Sequence, residues 1–235
     1  MDLTKFYTLE DNNIRFSREQ ASLFAKSVGR DFNPIHNADA KKFCVPGDLL
    51  FAVVLEQYGV TETMRFKFES MVNENTRVTL PAEAASNFTL TDQNEKPLMS
   101  VQSEGKRTMD KVFVANLIEK YVEFSGTTFP DILIRLMKQE GAMMNPTRPL
   151  IIYRDMAVNI DQFPKGDLSL ELAASSMVVE GKKGSVLLQF NVLVDGHKIG
   201  TGTKNMLVSG LRDYDQVAID QLVAQYYQTK KAYAG

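Results

Sequence analysis

The chain has 235 residues, a length that fits one large domain or two small ones. Hydrophobic residues make up 44% of it and charged residues 24%, which indicates a folded globular protein rather than a disordered or fibrous one. The 27 Lys and Arg residues nearly balance the 29 Asp and Glu residues, and the formal net charge is -2. Because this charge gives no general attraction for polyanions, we expect no nucleic-acid partner.

Cysteine and histidine usage restricts the chemistry further. The one cysteine, Cys44, excludes an intrachain disulfide and a cysteine-based structural zinc site, and it suits a reducing compartment. The two histidines are not spaced as a metal-ligand pair, so we expect no metal site. The N-terminal sequence lacks a basic segment followed by an apolar one, and the longest purely apolar run, residues 49–55, is too short to span a bilayer. We therefore expect a cytoplasmic protein without membrane insertion.

Two helices followed by strands are predicted in the first half. Ser17 and Gln20 form a potential capping box, and the helix that they begin is predicted to end at Gly29, which would supply the left-handed residue after the last turn. Residues 49–58 are apolar on nearly all sides, which is typical of a short buried helix. Residues 63–107 combine β-favouring runs with turn residues and predict several antiparallel strands.

The same order recurs in the second half. One helix, with Asn116 as a candidate cap, is predicted to end at Gly126, and a short apolar helix is predicted over residues 129–141. Strands are predicted at residues 150–160, 168–179, 185–194 and 198–209. The turn between the last two, Asp195-Gly196, is typical of a two-residue hairpin. Residues 215–232 predict a C-terminal helix, to which the sequence assigns no function.

The two copies differ in the loop between their helices. The helix-ending glycines are 97 residues apart, whereas Pro46 and Pro130 are 84 apart, so the first copy carries 13 extra residues between Arg30 and Cys44. This insertion contains Asp31-Phe32-Asn33-Pro34-Ile35-His36. Because Pro34 stiffens the segment, a carboxylate and an imidazole would project from a fixed loop and could share one water. The residues alone also permit a plain turn with a surface histidine.

This loop, together with Val45-Pro46-Gly47-Asp48-Leu49-Leu50, resembles the signature of the MaoC-like family of (R)-specific enoyl-CoA hydratases and dehydratases. The resemblance covers roughly residues 16–60, and that family has the hot-dog fold. The repeat is similar to double hot-dog members, in which one chain supplies two units and only one unit keeps the catalytic loop. Here the unit with the loop is the N-terminal one.

The resemblance implies that Asp31 and His36 activate one water, as base and acid, for addition across the 2,3 double bond of an enoyl thioester. Gly47 would supply a backbone N–H to the oxyanion hole at the start of the central helix. Asn33 would order the loop or orient Asp31. Arg30 stands where the family usually has glycine, and it could pair with Asp31 and weaken it as a base, or face outward toward a CoA phosphate.

We therefore predict an α+β fold of two fused hot-dog units, residues 1–110 and 111–212, followed by a C-terminal helix at 213–235. The predicted function is a hydratase or dehydratase of fatty acid metabolism. Its partner would be a small-molecule acyl thioester, with CoA or phosphopantetheine as the substrate's carrier and no other cofactor, and a homodimer is left open. Two alternatives remain, a non-catalytic acyl-thioester or lipid-binding protein and a hot-dog thioesterase.

Overall fold

A computed structural model describes residues 1–11, 13–83 and 85–234. In these parts of the chain the α-helices are α1 (Arg18–Ser27), α2 (Gly47–Tyr58), α3 (Lys111–Gly126), α4 (Leu133–Gln139) and α5 (Gln216–Ala234). The strands are β1 (Thr8–Glu10), β2 (Asn13–Arg15), β3 (Val60–Phe68), β4 (Val78–Thr79), β5 (Asn87–Thr91), β6 (Pro97–Thr108), β7 (Ala142–Met143), β8 (Ile151–Ile160), β9 (Leu168–Glu180), β10 (Lys183–Val194), β11 (His197–Ser209) and β12 (Arg212–Asp213). None of the described helices combines the length and apolar character needed to cross a membrane.

One large antiparallel sheet carries the fold. Its ten strands lie in the order β1-β2-β4-β5-β6-β3-β8-β11-β10-β9, and β7 and β12 form a separate ribbon. In each half, the first strand of this sheet after the second helix lies at the centre, and the fourth, third and second sheet strands of that half follow outward. The halves therefore share one topology. The division at residues 110 and 212 stays a prediction, because pairing of β3 with β8 joins both halves into one sheet.

The helix α2 forms the centre of the larger core. Every residue from Asp48 to Leu55 is buried, which explains why this segment is apolar on nearly all sides. The Phe51 ring packs against Phe66 of β3, with the ring centroids 5.0 Å apart, and against Tyr121 of α3, with the centroids 4.6 Å apart. Each fully buried Leu, Val or Phe side chain contributes about 1.5–3 kcal/mol. Burial between the sheet and α3 therefore holds α2 in place.

A second, smaller core lies under the second half of the sheet. Leu133, Leu136 and Met137 of α4 are buried together with Leu188 of β10 and Met206 of β11. The hairpin that joins these two strands has positive φ angles at Asp195 and Gly196, as a two-residue turn requires, so the predicted turn is confirmed.

Two predicted helix bounds were wrong in the second half. The helix α3 begins at Lys111 rather than near Asn116, because the Asp110 carboxylate accepts hydrogen bonds from the backbone N–H groups of Val112 and Phe113. The predicted helix at 129–141 is an α-helix only from Leu133. Phe129 precedes a proline and is extended (φ −115°, ψ 131°), as the steric demands of the proline ring favour.

The two helix-ending glycines have a different role from the predicted one. The left-handed residue after α1 is Arg30, with φ 49°, and not Gly29. Gly29 and Gly126 instead lie against each other, and a Cβ atom on Gly126 would overlap the carbonyl group of Gly29. The ends of α1 and α3 can approach this closely because Gly126 lacks a side chain.

Replacing Gly126 with Ala should therefore destabilise the protein by about 2 kcal/mol or more, because the overlap is with backbone that must move as a unit. Denaturant unfolding measures the change. The control is Glu119→Ala on the exposed side of α3, which should stay within about 0.5 kcal/mol. Equal stability of the two variants would contradict the close packing of the helix ends.

Candidate functional site

Local hydrogen bonds hold the loop after α1 in one conformation. The helix itself begins with the predicted capping box between Ser17 and Gln20. At its end, the backbone N–H of Asp31 donates to the carbonyl of Ala25 at 2.9 Å. The Asp31 carboxylate then accepts from the N–H of Asn33, and the Asn33 side chain accepts from the N–H of Ile35 and so caps the short 3₁₀ turn Pro34–His36. Asn33 thus orders the loop.

Asp31 and His36 face each other across this turn. The His36 Nε2 atom lies 3.7 Å from the Asp31 Oδ2 atom, which is too long for a direct hydrogen bond but lets both atoms contact one water. The Nδ1 atom of His36 lies 2.7 Å from the carbonyl oxygen of Cys44. Since a carbonyl can only accept, Nδ1 carries a proton, and Nε2 is the ring nitrogen that faces Asp31.

Gly47 is the first residue of α2, and the helix begins at this point without a side-chain cap. The first N–H groups of the helix and the positive end of its dipole are thus available to a ligand. A Cβ atom at residue 47 would lie 2.9 Å from the Phe68 ring. Glycine therefore lets the Phe68 side chain of β3 pack beside the start of the helix, where both residues line the cavity.

One cavity of about 250 Å³ brings these groups together. Its lining from the first half includes Asp31, Asn33, His36, Cys44, Gly47, Asp48 and Phe68, and its lining from the second half includes Ser125, Thr128, Phe129, Leu133, Tyr153 and Met206. Both halves of the chain therefore contribute to one site, although only the first half has the Asp31–His36 loop.

Arg30 is the sequence-predicted site residue that lies apart from the others. Its guanidinium lies 3.7 Å from the Glu123 carboxylate, and 65% of its side chain is exposed. Arg30 is not among the residues that line the cavity. The structure thus places Arg30 against Glu123 of α3 and not against Asp31.

Sequence reasoning missed a buried polar cluster at the cavity, made of Asp48, Ser125, Tyr153 and Lys204. The Ser125 hydroxyl donates to the Asp48 carboxylate, and the Lys204 ammonium donates to the hydroxyls of Ser125 and Tyr153. Lys204 is 1% exposed and Ser125 is 2% exposed. The cluster joins the start of α2 to the end of α3 and to strands β8 and β11. It therefore fixes the first turn of α2 relative to the second half.

Burial controls the ionisation of this cluster. It lowers the pKa of Lys204 to about 8, although the nearby Asp48 carboxylate favours the charged ammonium. Burial also raises the pKa of Asp48, whereas Lys204 and the Ser125 hydrogen bond oppose that shift. The Oδ1 atom of Asp48 has no hydrogen-bond partner among the described residues, which adds to the cost of the ionised form.

The sequence does contain a signal for Lys204. In β11, Gly202, Met206 and Val208 alternate with more exposed residues and face the interior, and Lys204 occupies the inward position between Gly202 and Met206. A lysine on the inward side of an alternating strand predicts either a buried ion pair or a functional group. Ser125 and Asp48 have no comparable signal, because Ser125 lies in a helix of mixed character and Asp48 lies in the first turn of α2, where an acidic residue is common.

Cys44 also lies at the cavity, where burial raises the pKa of its thiol to about 11. It is therefore a protonated thiol near neutral pH and a weak nucleophile. Its contribution to the site is the backbone carbonyl that holds His36.

The ionisation of Lys204 predicts a measurable pH dependence. The folded protein releases the lysine proton near pH 8, whereas the unfolded chain keeps it up to about pH 10.4. Between these values the unfolded state binds more protons, so stability from this group rises with pH by up to about 1.4 kcal/mol per pH unit. Relative to Lys204→Met, the wild type should gain stability between about pH 7.5 and pH 9.5.

Urea unfolding at the two pH values tests this. The control is Lys198→Met, which removes an exposed lysine from the same strand and should shift stability equally at both pH values. If the stability difference between the wild type and Lys204→Met is also equal at the two pH values, Lys204 is not desolvated.

The family comparison matches residues 1–217 to the model described as a protein of unknown function, DUF3581. The match ends at the second residue of α5. A comparison with curated proteins found no match.

Among solved structures, the chain is similar to a conserved protein of unknown function with a hot-dog fold from Alicyclobacillus acidocaldarius (10% identity, 88% of this chain and 97% of that chain, TM-score 0.47). It is also similar to an acyl-CoA thioesterase II from Mycobacterium marinum (10% identity, 92% and 99%, TM-score 0.42) and to a MaoC-like dehydratase (10% identity, 87% and 99%, TM-score 0.40). Because the family match covers more than nine tenths of its residues, the chain belongs to the DUF3581 family.

Proposed function

We propose that this protein is a double hot-dog hydratase or dehydratase that adds or removes water across the 2,3 bond of an enoyl or 3-hydroxyacyl thioester. The observation that carries the proposal is the convergence of Asp31, His36 and the uncapped start of α2 on one cavity. A base, an acid and an oxyanion site are the three elements that this reaction needs. The shared topology of the two halves supports the fold part of the proposal.

In the hydration direction, the thioester carbonyl oxygen would accept a hydrogen bond from the backbone N–H of Gly47. A water held between Asp31 and His36 would attack the β-carbon and give a proton to the Asp31 carboxylate. The helix dipole would stabilise the enolate oxygen, and the protonated His36 would give its Nε2 proton to the α-carbon. One water is added in total, while Asp31 gains one proton and His36 loses one.

The dehydration direction uses the same atoms in reverse. Neutral His36, whose Nδ1 proton is held by the Cys44 carbonyl, would remove the α-proton through Nε2. The protonated Asp31 would then give its proton to the leaving 3-hydroxyl group. The hydrogen bond to Cys44 keeps Nε2 directed at the cavity in both directions, whichever way the equilibrium runs.

The Asp31→Asn variant tests the proposal. The amide keeps the shape of the side chain but cannot accept a proton, so hydration of short and medium trans-2-enoyl-CoA species should fall by on the order of 10²–10⁴-fold, with binding nearly unchanged. The assay follows loss of the conjugated enoyl absorbance and release of free thiol in parallel. Asp39→Asn is the matched control, since Asp39 is exposed on the same loop.

The two readouts separate the candidate functions. Loss of enoyl absorbance without thiol release supports the hydratase, and thiol release with an intact double bond identifies a thioesterase. Binding of acyl-CoA with neither change identifies a non-catalytic binder. Equal rates in the wild type, Asp31→Asn and Asp39→Asn would contradict the assignment of Asp31.

Asp31 and His36 should also act as a unit. If both groups contact one water, His36→Gln should reduce hydration about as much as Asp31→Asn, and the double variant should lose little more than either single variant. A double-mutant cycle of kcat measures this. If the fold-loss of kcat in the double variant equals the product of the two single losses, the residues act independently.

A further inference from the structure

The helix α5 begins on the second half of the chain. Ile219 is buried in the core around α4, and Leu222 and Val223 pack against the same core. These contacts fix the first part of α5 to the half that lacks the Asp31–His36 loop. At the surface of the same half, the exposed Tyr227 hydroxyl donates to the Asp131 carboxylate at 3.2 Å.

The later part of α5 contacts the residues on both sides of Asp31. The Tyr226 hydroxyl donates to the carbonyl of Arg30 at 3.0 Å. The Phe32 ring packs edge-on against Tyr226 and Tyr233, with ring centroids 5.9 Å and 5.6 Å apart. Asp31 therefore lies between two residues that α5 holds.

Both contacts favour a conformation that the loop alone would not prefer. Arg30 has a φ of 49°, a left-handed conformation that is unfavourable for a residue with a Cβ atom. A hydrogen bond to its carbonyl stabilises that conformation. Phe32 is only 5% exposed, and the two α5 tyrosines are its aromatic partners among the described residues. Without α5, the ring would lose both of these partners.

Tyr226 also contacts the wall of the cavity. The Tyr226 ring packs edge-on against Phe129, with the centroids 5.3 Å apart, and Phe129 lines the cavity from the second half. Tyr226 is 7% exposed. It thus lies between the loop of one half and the cavity wall of the other.

We propose that α5 positions Asp31 for the reaction, with Tyr226 as the positioning residue. This inference rests on the proposed function in one respect only, that the atom being positioned is the Asp31 carboxylate. It assigns a role to the second half beyond its share of the cavity wall, because that half anchors the helix that holds the loop.

The first test is turnover of trans-2-enoyl-CoA by full-length variants. Tyr226→Ala removes both the ring and the hydroxyl, and kcat should fall by on the order of 10²-fold with little change in KM, because the carboxylate is displaced while the cavity remains. Tyr226→Phe keeps the packing and should recover most of that loss. Tyr227→Phe, the neighbouring tyrosine that contacts Asp131 instead of the loop, should retain wild-type kcat. A Tyr226→Ala variant with unchanged kcat would overturn the proposal.

The second test does not depend on activity. The backbone N–H groups of Asn33 and Ile35 are hydrogen-bonded within the loop, and that of Asp31 is hydrogen-bonded to α1, so their hydrogen exchange reports whether the loop opens. Exchange should be at least about tenfold faster in Tyr226→Ala than in the wild type and unchanged in Tyr227→Phe. If Tyr226→Ala does not fold, the measurement is made on Tyr226→Phe. Loss of the hydrogen bond to Arg30 alone should still speed hydrogen exchange at the Asp31 N–H.

The outcomes keep the two proposals distinct. Faster loop exchange in a protein that turns over no thioester would support the positioning by α5 and contradict the proposed function. Turnover with unchanged exchange in every Tyr226 variant would contradict the positioning and leave the proposed function intact.

Discussion

The burial of α2 from Asp48 to Leu55 is the constraint on which the rest of the site depends. Since the helix is enclosed by the sheet and by α3, its position is fixed by packing, and its uncapped N-terminus meets the cavity. The Asp31–His36 loop is built against the same point, because His36 is held by the carbonyl of Cys44, three residues before Gly47. Packing in the core therefore sets the distances between the groups of the site.

The fused second half contributes in a different way from the first. It has no equivalent of the Asp31–His36 loop, but it supplies Ser125, which donates to Asp48 at the first turn of α2. It also supplies Lys204, which donates to the hydroxyls of Ser125 and Tyr153. Burying charged groups is costly unless they are fully hydrogen-bonded, and the Oδ1 atom of Asp48 has no partner among the described residues. This cluster thus specifies how the halves fit together at the cavity more than it stabilises the fold.

Local patterns in the sequence predicted much of the fold, and long-range contacts account for what they missed. The capping box, the apolar pattern of α2, the four long strands of the second half and the Asp195-Gly196 turn all depend on neighbouring residues. The contact between Gly29 and Gly126, the pairing of β3 with β8 and the Lys204 cluster join residues about 80 to 100 positions apart or in different halves. The role of Arg30 was also beyond local reasoning, because its backbone conformation is supported by Tyr226 from the other end of the chain.

The proposed reaction requires Asp31, His36 and Gly47 to act together on one acyl thioester. A crystal structure of the Asp31→Asn variant with a bound 3-hydroxyacyl-CoA tests this. The thioester oxygen should lie about 3 Å from the backbone nitrogen of Gly47, and the 3-hydroxyl group should lie within about 3 Å of residue 31 and of the His36 Nε2 atom. A thioester bound away from the start of α2, with the 3-hydroxyl out of reach of both side chains, would contradict it.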